Sequence, residues 1–140
     1  MNTTNSDMLL YVLIVSLAAL AVLILYLLTL KGVLQEINAG NRKMRVEHIW
    51  LLLIPVFNFF WYPRVVHRLG LSIRAEYLDR GWHVGKRTPG EITGYIAFVA
   101  LLLFLMLGKF FLFVAVISGV IHWLQIYSVK AKMEGLRDIL

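Results

Sequence analysis

Apolar residues fall into four long stretches separated by short basic segments. The clearest pattern is residues 92–127, thirty-six positions whose one charged side chain, Lys109, directly follows Gly108. A membrane helix needs about twenty apolar residues at 1.5 Å each, so residues 92–107 and 110–127 read as two spans joined by a hairpin turn. Residues 8–30 form an unbroken apolar run of twenty-three. No basic stretch precedes it and no small-residue cleavage pattern follows, so a retained span is expected rather than a secretory signal. The remaining stretch, about 49–66, is interrupted. Pro55 frees a carbonyl and Asn58 places an amide in hydrocarbon, which predicts a span kinked at Pro55 or a re-entrant half-span.

Between these stretches the periodicity changes. Over residues 64–80, Val65, Leu69, Ile73 and Tyr77 recur every four residues beside a polar line of Arg68, Ser72, Glu76 and Arg80. That pattern predicts an amphipathic helix lying on a membrane or running out from it. Glu76 is placed to pair with Arg80, and Gly81 to end the helix in the left-handed conformation. Thr88-Pro89-Gly90-Glu91 reads as a capping box with proline at the first helical position, which starts the third span. The fold expected is a single all-α integral membrane domain over residues 1–140, with four hydrophobic helices plus the amphipathic one. Residues 128–140 are expected to extend the last helix into the cytoplasm.

Charge then bears on topology. The chain carries fourteen Lys and Arg against eight acids. In a membrane protein such an excess marks loops held on the cytoplasmic side near anionic lipid, and nucleic acid is not an expected partner. A full second span leaves nine basic residues on the cytoplasmic side against five opposite, whereas a re-entrant one gives thirteen against one. The charge rule thus favours re-entry. Re-entrant backbone, however, needs surrounding protein to satisfy it, and a chain this small offers little cover, so the full span is the expectation. Either way the C-terminus is cytoplasmic.

Candidate chemistry is sparse. Cysteine is absent, which removes disulfides, thiolate metal sites and thiol catalysis. Of four histidines, His122 alone lies within a span, where Ser118, His122 and Gln125 share one face of the last helix; intramembrane polar groups usually face protein or a water-filled cavity. Ala115 and Gly119, beside that face, have the small-xxx-small spacing that lets another helix approach. Interhelical hydrogen bonding is the plain reading of the line, and a ligand or proton pathway the sharper one. His67 and His122 fall at one membrane level, so a bis-histidine haem or metal site is geometrically conceivable, although no metal-binding motif supports it. Asn58 reads either as an amide capping the carbonyl freed by Pro55 or as a binding residue at a broken helix. The aromatics Trp50, Trp61, Tyr62, Trp82, Trp123 and Tyr127 read as interface anchors.

The elements Asn41-Arg42-Lys43-Met44, the run from Trp50 through Pro55 to Asn58 with Trp61, and Ser72 through Glu76-Tyr77 to Arg80-Gly81 resemble a family of small, uncharacterised, multi-pass bacterial inner-membrane proteins. The family usually carries a proline soon after its N-R-x-M element, where this chain has Arg45-Val46-Glu47, and Pro63 is an additional break. The resemblance implies a bacterial inner-membrane protein of about four helices and supplies no catalytic residues or cofactor. The expected role is non-enzymatic: an accessory or structural subunit packing against other membrane subunits or itself. A homo-oligomeric pore or transporter is the first alternative, and a haem- or quinone-binding redox subunit the second.

Overall fold

The structure, a computed structural model, describes the backbone of residues 3–137 and the side chains of residues 5–135. All its regular elements are helical: α1 (Thr3–Glu36), a 3-10 segment (Val46–Leu53), α2 (Pro55–Asp79), α3 (Glu91–Leu107) and α4 (Phe110–Arg137). The hairpin falls where the glycine predicts it. Gly108 ends α3 at φ 100°, a backbone angle that L side chains rarely adopt, and α4 begins two residues later. Only α1 and α4 are long and apolar enough to cross a membrane; α3, at seventeen residues, is shorter. The expectation of four spanning helices is therefore met by two on length and composition.

The core sits at one end of the bundle. Leu27, Leu30 and Leu34 of α1 with Ile37 directly after it, Val65, Leu69 and Ile73 of α2, and Ile126, Val129 and Met133 of α4 are all buried there, at the three- and four-residue spacings of a helix face. α1 and α4 run parallel: Tyr26 lies beside His122, and the Arg80 guanidinium reaches the carbonyls of both Glu36 and Met133. α3 runs antiparallel to them.

Residues 49–66 do not run from one end of this bundle to the other. The loop after α1 is fastened to the far end of α2, with the backbone N–H of Asn38 and the side chain of Asn41 on Glu76, and the N–H of Lys43 on Ser72 Oγ. The 3-10 segment then descends until Leu52 and Pro55 share a cavity wall with Leu23 and Tyr26, and α2 returns to place Arg80 against the end of α1. Entry and exit lie at the same end, so residues 49–66 go out and back rather than along the bundle, a path that suits the re-entrant alternative and not the kinked full span. Pro55 kinks nothing. It opens α2 at the first helical position, where its missing N–H is no loss, and Pro63 lies inside the same unbroken helix. The anticipated lack of cover is answered locally, because 3-10 bonds satisfy the descending backbone and α1 and α2 pack on either side. Among the fourteen Lys and Arg positions, Lys109 alone sits at the hairpin end.

The amphipathic helix is likewise no separate surface element. Val65, Leu69, Ile73 and Tyr77 are buried within the protein, and so are Ser72 and Glu76 from the polar line. Gly81 closes α2 at φ 68° as expected, with Trp82 N–H reaching the Tyr77 carbonyl at 2.8 Å. Glu76, 3% exposed, holds more than its i,i+4 partner: it accepts from Asn38, Asn41 and Arg80 Nε at 2.9, 2.8 and 2.7 Å. Burial works to raise its carboxyl, but the hydrogen bonds and the Arg80 charge outweigh that and hold it below the usual carboxylate value.

Candidate functional site

His122 is the centre of the polar cluster. It is 1% exposed, and both ring nitrogens are engaged: Nδ1 lies 2.6 Å from the Gly90 carbonyl and Nε2 2.9 Å from the Tyr26 hydroxyl. A carbonyl oxygen can only accept, so Nδ1 carries the proton; Nε2 of the neutral ring then accepts, and Tyr26 donates to it. One side chain on α4 thus ties α1 to the start of α3. Two further hydrogen bonds reinforce the junction. Gln125 Oε1 accepts from Thr93 Oγ1 at 2.7 Å, and Trp123 Nε1 donates to Thr29 Oγ1 at 2.9 Å. Ser118 is buried but bonds back to carbonyls of its own helix, so it links no second helix.

The close approach comes from glycines other than the expected one. Gly119 has open space where a side chain would begin, and Ala115 lines a cavity, so this pair brings no helix near within the protein. A Cβ on Gly94 would lie 2.9 Å from Val66 and 3.0 Å from the His122 ring, and one on Gly90 would lie 2.7 Å from Ile126. The Gly90-xxx-Gly94 spacing was the available signal. Gly90 at φ 85° is the N-cap of α3, whereas Thr88 donates to the Glu91 carboxylate instead of capping a backbone N–H. The capping box is thereby corrected: α3 starts at Glu91, with Pro89 ahead of it.

Below the junction lies a cavity of about 450 Å³ between all the helices and the turn at Leu52 to Pro55. Its wall is apolar apart from Tyr26, Tyr62 and Asn58. Tyr62 stacks on Phe98 at 6.0 Å, and Tyr26 forms part of the same wall, so a hydrogen-bonded line runs from Gly90 through His122 and Tyr26 to the cavity. Asn58 uses its backbone N–H in α2, and its side-chain amide has no partner among the described residues. It does not cap the carbonyl freed by proline.

Nor do the histidines converge. His67 Nδ1 lies 3.5 Å from Glu91, and His122 has no free ring nitrogen, so the pair does not present two open ligands to a haem iron or metal ion. Among the described residues no three His, Asp or Glu gather in a metal-binding group. Tyr26, Tyr62 and Thr93 were the participants that periodicity did not single out, since each sits as one hydroxyl within an apolar stretch. No family model, curated protein or solved structure matches the chain.

Proposed function

We propose that this chain is a non-enzymatic protein of the bacterial inner membrane, an accessory or structural subunit that packs against helices of other membrane proteins or of a second copy. In this reading α1, α3 and α4 cross the bilayer, the segment from Val46 to Asp79 dips in from the cytoplasmic side, and the C-terminus is cytoplasmic. The support for that orientation is the gathering of the basic positions at one end. The dip is shallow. Its tip stands level with Leu23 and Tyr26, about 10 Å inside the apolar run of α1, counted from the Leu30 end at 1.5 Å per residue.

The observation that carries the role is α1 itself. Every side chain from residue 5 to residue 22 is exposed, while Leu27, Leu30, Val33 and Leu34 of the same helix are fully buried. Ser16, Ala18, Ala19 and Ala21 cluster within that bare section and let a neighbouring helix come close. Ser118, His122 and Gln125 are meanwhile spent on internal hydrogen bonds. Gentle detergent extraction followed by native mass measurement tests the reading. A complex containing the 16.1 kDa chain and a further membrane polypeptide, or a second copy joined through α1, is expected. A lone monomer that stays monomeric in native membranes after crosslinking would overturn it.

A second reading rests on the cavity. An apolar chamber with two hydroxyls and an unpaired amide suits a planar lipophile such as a quinone. Co-purification of a quinone, lost in Asn58→Leu, would favour it over the subunit role.

A further inference from the structure

At the basic end, the loop after α1, the start of the 3-10 segment and one turn of α2 enclose a second pocket of about 500 Å³. Arg42, Lys43, Arg45, Arg68 and His48 line it, against one carboxylate, Glu47. Arg42 is held rigidly, since Nε donates to the Ile37 carbonyl at 2.9 Å and an end nitrogen to that of Gln35 at 3.1 Å. The side chains of Lys43, Arg45 and Arg68 have no partner among the described residues. His48 packs its ring on Trp61 at 5.8 Å, and its buried Nδ1 has no hydrogen-bond partner among the described residues. Four cations held around one carboxylate repel one another, and an anion in their midst reverses the sign of that interaction.

We infer that this pocket binds the phosphate of an anionic phospholipid headgroup. The cationic lining names phosphate, and the surroundings name a lipid as its carrier. Lys31, the first charge after the apolar run of α1, lies over Trp50 at 5.9 Å and lines an adjoining pocket that shares Arg42 and Glu47. From there Trp50, Leu53 and Ile54 form an exposed apolar track toward the re-entrant tip, along which an acyl chain can lie. A free phosphate would use the cations and leave that track bare. A basic pocket at headgroup height beside an apolar surface recognises both parts of one molecule. Bound there, the lipid would staple the re-entrant segment to α1 and to the cytoplasmic leaflet.

The inference rests on placing α1 and α4 across a bilayer, and the two fail differently. Recovery of the chain in the soluble fraction of lysed cells overturns the membrane placement. For the pocket, detergent-purified protein is titrated with phosphatidylglycerol, phosphatidylcholine or orthophosphate and read by native mass spectrometry. Phosphatidylglycerol is expected to bind at least tenfold tighter than phosphatidylcholine, with millimolar orthophosphate failing to displace it. The triple variant Lys43→Gln, Arg45→Gln, Arg68→Gln is expected to weaken phosphatidylglycerol binding on the order of a hundredfold. A control removing Arg74, Lys86 and Arg87 leaves it unchanged. Should the triple variant fail to fold, Arg45→Gln alone, at an exposed position, is expected to weaken binding about fivefold. Equal affinity for the two lipids, retention of affinity in the pocket variants, equal loss in the control, or displacement by orthophosphate each overturns the inference.

Discussion

Replacing Glu76 with leucine is expected to destabilise the bundle by about 3–5 kcal/mol, the usual cost of removing one partner from a buried, hydrogen-bonded ion pair. The change removes the counter-charge and the Nε acceptor of Arg80, which keeps its carbonyl contacts to Glu36 and Met133, takes the acceptor from the Asn38 N–H, and leaves the Asn41 amide with Asp79 alone. Glu76→Gln keeps one of the two acceptor oxygens and is expected to cost less, although its NH2 group then faces a donor that Glu76 held. The pH dependence has a definite sign. Because the folded carboxyl is held below its ordinary value, its contribution is complete above the unfolded value of about 4.3 and is lost as pH falls through the lower folded one. Thermal unfolding in detergent should therefore show an acid-side loss that Glu76→Gln lacks. Identical acid profiles for the two proteins would place the stabilisation elsewhere.

Gly90→Ala is expected to cost about 2–5 kcal/mol, combining a left-handed backbone with a crowded site. Its φ is 85°, and the added carbon would lie 2.7 Å from Ile126 Cδ1 and 3.2 Å from His122 Nδ1. Relieving those contacts means moving the carbonyl that His122 bonds, so the junction of α1, α3 and α4 loosens together. Gly119→Ala is the informative contrast. It lies within α4 with open space around it, and the helix propensity of alanine is expected to make it neutral or stabilising by up to about 1 kcal/mol. If Gly119→Ala proved the more damaging of the two, close helix approach would occur on the face first read from sequence, in an oligomer.

What was legible in the chain was whatever depended on neighbours close in sequence. Gly108 and Gly81 end their helices because local backbone geometry demands it, and the buried positions of α2 follow from four-residue spacing. The path of residues 49–66 was only partly legible, because an apolar run with a proline suits a kinked span and a re-entrant dip equally and the charge rule alone favoured the dip. The bonds that decide it join Asn41 to Glu76 and Lys43 to Ser72, 35 and 29 residues apart. The burial of Glu76 was closer to hand: with Leu69, Ile73 and Arg80 it lies on one helical face, so an acid within an apolar stripe had to meet a partner. At the candidate site, His122 and Gln125 were found by polarity in an apolar helix, whereas Gly119 misled because spacing alone does not say which face a neighbour uses.

The re-entrant path is the claim on which the topology, the cavity and the basic pocket all depend. The chain contains no cysteine, so single cysteines can be placed cleanly at Gly40, His83, Ser128 and Lys109 and labelled with a membrane-impermeant maleimide. In intact spheroplasts Lys109→Cys is expected to label and the other three to stay protected, with the pattern reversed in inside-out vesicles. Labelling of Gly40→Cys and His83→Cys from opposite faces would show that residues 49–66 cross the membrane and would contradict the account.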